Sequence, residues 1–338
     1  MIEELREEWA KNPDATWLWG FSSAMPITKA LSNDLPGFRS CWDDSGLTAG
    51  SDDVDLATLE SFATAAGFHT AQIDKFDWLE KATVAADFRK AKSEGRHALF
   101  LNTQLGGGPP PTLRIVQAAY QLGLRMLQLT YNTMTTIGSG CTERTDAGVS
   151  SFGASLIEMM NDLGIIVDTS HCGKQTTLDA CSLSKRPVVA SHTSAEGLFL
   201  HDRAKSNQEL EAIAKTGGVI GVCAVPFFLA KDEPTIDVML DHIDYIVKLV
   251  GVDHVSIGTD WPLPRPKWIL EEVGKIYAYA HGFSSEHNLK PEQNLVGFDD
   301  YRDFPNITRG LVSRGYDDSE IKGILGENFL RVFEAVCG

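Results

Sequence analysis

The stretch SSFGASLIEMMNDLGIIVDTSHCG, residues 150–173, decides the fold. Its first part places apolar residues at i, i+3, i+4 spacing and stops at Gly164, the pattern of an amphipathic helix ended by glycine. Its second part, Ile165–His171, is a short β-branched run bounded by polar residues, the pattern of a buried strand. Working outward, the same alternation recurs. Strand-like runs fall at Trp17–Phe21, Leu47–Ser51, His97–Thr103, Arg125–Tyr131, Pro187–His192, Val219–Val225 and Val255–Asp260. NQELEAIAKTGG, residues 207–218, is another helix that stops at glycine. Strands alternating with helices predict parallel pairing, because each crossover helix must return the chain to the same end of the sheet. Eight such units point to a TIM-type (β/α)8 barrel in a single domain, 1–338. It carries an N-terminal helix at 2–12, a Pro-rich insertion at about 262–300 and C-terminal helices at about 303–337. A doubly wound open sheet is the competing architecture. It lacks support because the GGGPPP stretch (106–111) has three prolines where a dinucleotide fingerprint needs a helix to open.

The composition is that of a globular enzyme. The 338 residues are 43% hydrophobic and 22% charged, with mean hydropathy −0.12, which excludes wholesale disorder and a membrane-embedded body. Net charge is −16 and pI about 4.9, so phosphate backbones and anionic lipid are repelled. No nucleic-acid or membrane partner is expected. Six scattered cysteines without a CxxC read as reduced thiols. The charged start MIEELREEWAKNPDA has no apolar core of a signal peptide. A cytoplasmic protein is the expectation.

In such a barrel the active site lies at the C-terminal strand ends. There the runs finish in His171, His192 and Asp260, with Tyr131 and Gln104 ending two others. Two histidines and an aspartate at three strand ends suit metal binding or acid–base work, although any lone histidine is more often structural. His201, just beyond the sixth run, also lies within reach of the mouth. Arg203 is either a forked clamp for a substrate carboxylate or a helix cap. The loop GSGCTERTDAG, residues 138–148, carries Glu143, Arg144 and Asp146 and is either a solvated turn or a wall of the site.

Several of these pieces resemble the membrane (renal) dipeptidase family, peptidase M19: AYQLGLRMLQLTYN, GASLIEMMNDLGIIVDTSHCG, RPVVASHTSA, VSIGTDWP and the terminal GENFLRVFEAV. The resemblance implies a metallo-dependent-hydrolase barrel, usually dimeric, with a binuclear zinc centre that hydrolyses dipeptides or related small amides. It implies His171 and His192 as ligands of one zinc, Asp260 as the group that orients or deprotonates the catalytic water, and Arg203 as the carboxylate clamp. The sequence departs from the family elsewhere. The family's first-strand D-G-H-x-D is WLWGFSSAMP here, with Phe21 and Ser23 at the ligand places. The bridging glutamate is Gln104, and the substrate-contacting histidine is Tyr131. Charge compensation for two dications about 3.5–4 Å apart is then missing, whereas one remains tenable.

The expected function is hydrolysis of a small amide or dipeptide-like, carboxylate-bearing substrate by a single metal-activated water. One zinc is held by His171 and His192, with Gln104 as a poor third donor. Asp260 acts as base, Tyr131 as hydrogen-bond donor to the developing oxyanion, and Arg203 and Glu143 contact substrate. Two alternatives share the barrel: a one-metal or metal-free lyase, decarboxylase or isomerase, and a non-catalytic paralogue. The family habit adds a homodimer.

Overall fold

The computed structural model describes residues 38–54, 56–105, 111–232, 234–260, 282–284, 287, 289–290, 293–299 and 301–338. The strands among them are β1 (Ala49–Asp53), β2 (Leu79–Lys81), β3 (His97–Thr103), β4 (Leu124–Gln128), β5 (Ile166–Asp168), β6 (Val188–Ala195), β7 (Ala204–Lys205), β8 (Ile220–Val222) and β9 (Val255–Ile257). All pairings are parallel, in the order β1-β3-β4-β5-β6-β8-β9, with β2 added to β3 and β7 to β6. The seven strands of the main path follow one another around the sheet in sequence order, with helices on the crossovers. This is the winding of a TIM-type barrel. The strand expected at Trp17–Phe21 and the helix at 2–12 lie outside the described residues, as does most of the 262–300 insertion.

The crossover helices are α2 (Leu59–Lys75), α3 (Ala85–Ser93), α4 (Leu113–Leu122), α5 (Ser151–Leu163), α6 (Lys174–Leu183), α7 (Asn207–Lys215) and α9 (Ile236–Val250). The short α1 (Phe38–Ser45) and α8 (Pro226–Leu229) accompany them, and α10 (Phe304–Ser313), α11 (Asp318–Lys322) and α12 (Asn328–Cys337) end the chain. The ends of α5 follow from its sequence. Ser150 Oγ accepts from Gly153 N at the start, and Gly164 at φ +85° closes it, the left-handed position that glycine adopts without strain.

Strand alternation sorts the core into layers. Leu101, Leu127, Val167 and Val188 face the helices and pack with Phe62, Val116, Leu156 and Met160. Phe100, Met126, Ile166 and Val189, on four neighbouring strands, gather instead with Phe88 of α3 and with Val332 and Phe333 of α12. Phe333 meets Phe88 edge-to-face at 4.9 Å and Phe100 at 5.3 Å, a favoured arrangement of aromatic quadrupoles. Two residues further along each of these four strands the same face turns polar: Asn102, Gln128, Asp168 and Ser191. The apolar floor thus gives way to a polar layer just where the strands end.

Candidate metal centre

His171 follows β5, His192 lies in β6 and Asp260 follows β9, and one ligand atom from each falls within 4.8 Å of the others. The two Nε2 atoms are 2.9 Å apart, and His192 Nε2 is 3.8 Å from Asp260 Oδ1. Strict alternation would turn His192 the same way as Val188 and Ala190, toward the helices. The β6–β8 register shifts between Ala190 and Thr193, an irregularity of the kind that re-aims a side chain. Among the described non-glycine residues, positive φ angles occur at Leu105, Asn132 and Asp260. All three follow the C-terminal ends of strands, a clustering typical of functional sites.

Each imidazole is held from behind. His171 Nδ1 is 2.7 Å from Asn132 Oδ1, so Nδ1–H donates to the amide oxygen and Nε2 keeps its lone pair. His192 Nδ1 is 2.8 Å from Ser191 Oγ. Ser191 Oγ in turn donates to Asp168 Oδ2 at 2.5 Å, so it is left to accept from His192 Nδ1–H. Two Nε2 lone pairs therefore face one another across 2.9 Å, which is repulsive unless a cation lies between them. Burial lowers the pKa of His192 below the usual imidazole range, although the Asp260 carboxylate pulls the other way.

The donor set fits a divalent metal. Neutral Nε2 donors with the second ring nitrogen engaged elsewhere are the usual form of a histidine ligand. Tetrahedral zinc with bonds of about 2.0–2.1 Å needs nitrogens about 3.3 Å apart, so a spread of a few tenths of an ångström would admit it. Among the described residues this is the cluster of metal-ligating type.

The other expected residues are placed as follows. The Tyr131 ring stacks on His171 with centroids 4.0 Å apart and planes at 19°, closing one face of the imidazole. Gln104 directly follows β3; its N–H donates to Asp53 Oδ1 and its carbonyl accepts from Gln128 Nε2. Glu143 Oε1 accepts from Met134 N at 2.5 Å and thereby closes the loop after β4. That loop is a wall of the site: Cys141 N donates to His171 O and Gly173 N to Ser139 O. Asp146 accepts from Gln175 N at the start of α6. Arg203 is 1% exposed, and its fork is turned inward: Nη1 donates to Ser170 O and Nη2 to His192 O. His201 is buried against Phe228, and its Nδ1 accepts from Arg203 N. Sequence reading missed Asn132, Asp168, Ser170 and Ser191. The one advance signal was a run, DTSH, with polar residues inside an otherwise apolar strand end.

A β/α barrel that gathers two histidines and an aspartate at its strand ends is the architecture of metal-dependent hydrolases. The family model of the membrane dipeptidases, peptidase family M19, matches residues 51–281 and 273–337, and the chain belongs to that family. An uncharacterized dipeptidase of Schizosaccharomyces pombe is 29% identical over 252 residues, 72% of this chain and 54% of that protein. The chain thus spans about half the length of that relative. The structure of an amidohydrolase from Pseudomonas aeruginosa is 30% identical, with TM-score 0.76, covering 89% of this chain and 93% of that one. A metallo peptidase from Rhodobacter sphaeroides, liganded with a phosphinate mimic of L-Ala-D-Ala, shares the fold at 18% identity and TM-score 0.69, covering 92% of this chain and 96% of that one.

Proposed function

We propose that this chain is a dipeptidase-type hydrolase that cleaves a small amide with one zinc ion held by His171 and His192. The observation that carries the reading is the meeting of two Nε2 atoms at 2.9 Å beside the Asp260 carboxylate, each with its Nδ1 engaged elsewhere. Zinc bound there by His171 and His192 would supply Lewis acidity toward the amide carbonyl and would lower the pKa of a bound water toward neutral. Asp260 is the base: its carboxylate takes the water proton as the new C–O bond forms, then returns it to the departing amine as C–N breaks. Tyr131, stacked on His171, orients the ring, and its hydroxyl would donate a hydrogen bond to the developing oxyanion. Gln104 supports one ion rather than two, because a neutral amide cannot offset the repulsion of a second dication. Arg203 holds the backbone around both histidines, and Glu143 shapes the loop between substrate and solvent.

Elemental analysis of untagged protein purified without chelator tests the reading. It should find about one equivalent of zinc, lost together with dipeptide hydrolysis in His192→Ala. Two equivalents would place a second ion against residues outside this cluster and overturn the single-metal mechanism. No metal, even after zinc or manganese is added back, would sink the hydrolase and favour metal-free chemistry or a binding role.

A further inference from the structure

We infer that Asp168, acting through Ser191, is the positioning residue that sets the tautomer of His192 and so makes its Nε2 available to a metal. The metal half of this inference rests on the reading of His192 as a ligand; the tautomer half does not.

The number of protons available decides the tautomer. Asp168 is 1% exposed and ends β5. Its Oδ1 accepts from Ser170 N at 3.1 Å, Ser170 Oγ at 2.7 Å and Ser191 N at 2.9 Å. Its Oδ2 accepts from Ser191 Oγ at 2.5 Å. Ser170 Oγ lies 2.9 Å from Ser191 Oγ and accepts from His192 N at 3.0 Å. A serine has one proton to give. With a carboxylate, which only accepts, both hydroxyls spend their protons on Asp168, as the short charge-assisted contact favours. Ser191 Oγ can then only accept from His192, which fixes the proton on Nδ1 and the lone pair on Nε2.

An amide in place of the carboxylate reverses the chain. The Oδ1 position receives two backbone N–H groups, so the amide oxygen must stay there and the NH2 must fall where Oδ2 was. That NH2 donates to Ser191 Oγ. The Ser191 proton is released to point at His192 Nδ1, and the ring proton moves to Nε2. A protonated Nε2 cannot ligate a metal. Asp168 thus controls a ligand it never touches, through one rotatable hydroxyl.

The test pairs a spectroscopic and a binding measurement on Asp168→Asn, Ser191→Ala and Ser191→Thr. Long-range proton–nitrogen NMR of metal-free protein labelled with 15N-histidine, with the His192 signal assigned by its loss in His192→Ala, reads the tautomer directly. Zinc affinity is read by competition with a chromophoric chelator. Wild type should carry its proton on Nδ1 and Asp168→Asn on Nε2, with affinity lowered about 10- to 100-fold, the usual cost of removing a partner that orients a ligand. Ser191→Thr should keep both properties of wild type. Ser191→Ala, which leaves the backbone contacts of Asp168 in place, should lose the fixed tautomer and part of the affinity. An unchanged His192 tautomer in folded Asp168→Asn overturns the inference, as does wild-type zinc affinity in Ser191→Ala. If the tautomer switches as stated but wild type binds no zinc, the positioning role stands and the metal reading alone fails.

Discussion

Arg203 leads the largest side chains that the structure buries fully, and a buried guanidinium must be used. Two of its donors serve the carbonyls of Ser170 and His192, the residues that flank or carry the histidine pair, and its Cζ lies 5.4 Å over the Phe228 ring. Its Nε has no hydrogen-bond partner among the described residues; the side chain is tied at the fork and stacked on an aromatic face rather than presented to solvent. Removing it strands two buried carbonyls, at a cost of about 1–3 kcal/mol for each group left unpaired, and loosens both strand ends. Arg203→Ala is therefore expected to lower kcat/KM for a dipeptide and for its C-terminally amidated analogue alike. A loss confined to the free carboxylate would instead make Arg203 the substrate clamp. This residue shows the limit of sequence reading at its own scale. The HDRAK stretch reveals a cation near the mouth but not which way it points, because direction is set by carbonyls on strands that lie far away in sequence. His171, His192 and Asp260 were legible because each finishes an apolar run. Asp168 and Ser191 were not, since their roles arise only when β5 and β6 pair.

At the scale of elements, the approach of three strands beneath the site depends on glycine. A Cβ on Gly221 would lie 2.0 Å from Ser191 O, and one on Gly258 only 1.7 Å from the same atom. The ends of β8 and β9 thus close on the carbonyl of the residue that orients His192, and neither contact can relax without moving backbone. Gly258→Ala should destabilise the protein by about 1–3 kcal/mol, the usual cost of overpacking, and weaken zinc binding as Ser191 shifts. Gly67→Ala is the control. Gly67 sits within α2, where an added methyl would meet nothing within 4 Å, so alanine there should gain up to about 1 kcal/mol from helix propensity. Urea midpoints for the two variants measure both effects, and a Gly258→Ala midpoint equal to wild type would remove the close-approach argument. The strands themselves were unequally legible. β3 matches the run His97–Thr103 because it is buried at every position and so has the continuous apolar centre Ala98–Leu101. β1, AGSDD, reads weakly because three of its five residues are polar; it is fixed by pairing along its whole length with β3. β2 and β7 escaped notice. LEK and AK are too short to show a period, and both exist only as additions to β3 and β6.

For the molecule as a whole, the winding was legible because helix and strand periods alternate through the chain, and parallel pairing follows from that alternation alone. The site's donors stand on top of a core that does not need them. The apolar floor of Phe100, Met126, Ile166 and Val189, closed by Phe333 of α12, lies below the polar layer, and two further clusters pack the helices onto the sheet. Metal removal should therefore lower stability without unfolding the chain, in contrast to small domains that have no core without their zinc. The size of the effect follows from mass action. Free zinc at about 100 times its dissociation constant contributes about 2.7 kcal/mol. With unfolding entropy of about 2.1 cal/mol/K per residue, a chain of 338 residues should gain about 4 °C in Tm. Scanning calorimetry in the presence of chelator and then of zinc measures this difference, and His171→Ala should abolish the zinc-dependent part of it. That variant also loses the stack on Tyr131 and the hydrogen bond to Asn132, so its metal-free Tm should lie below that of wild type. A zinc-independent Tm in wild type would mean that the histidine pair does not bind the ion, and a collapse of the fold on chelation would mean that the core beneath the site is not self-sufficient.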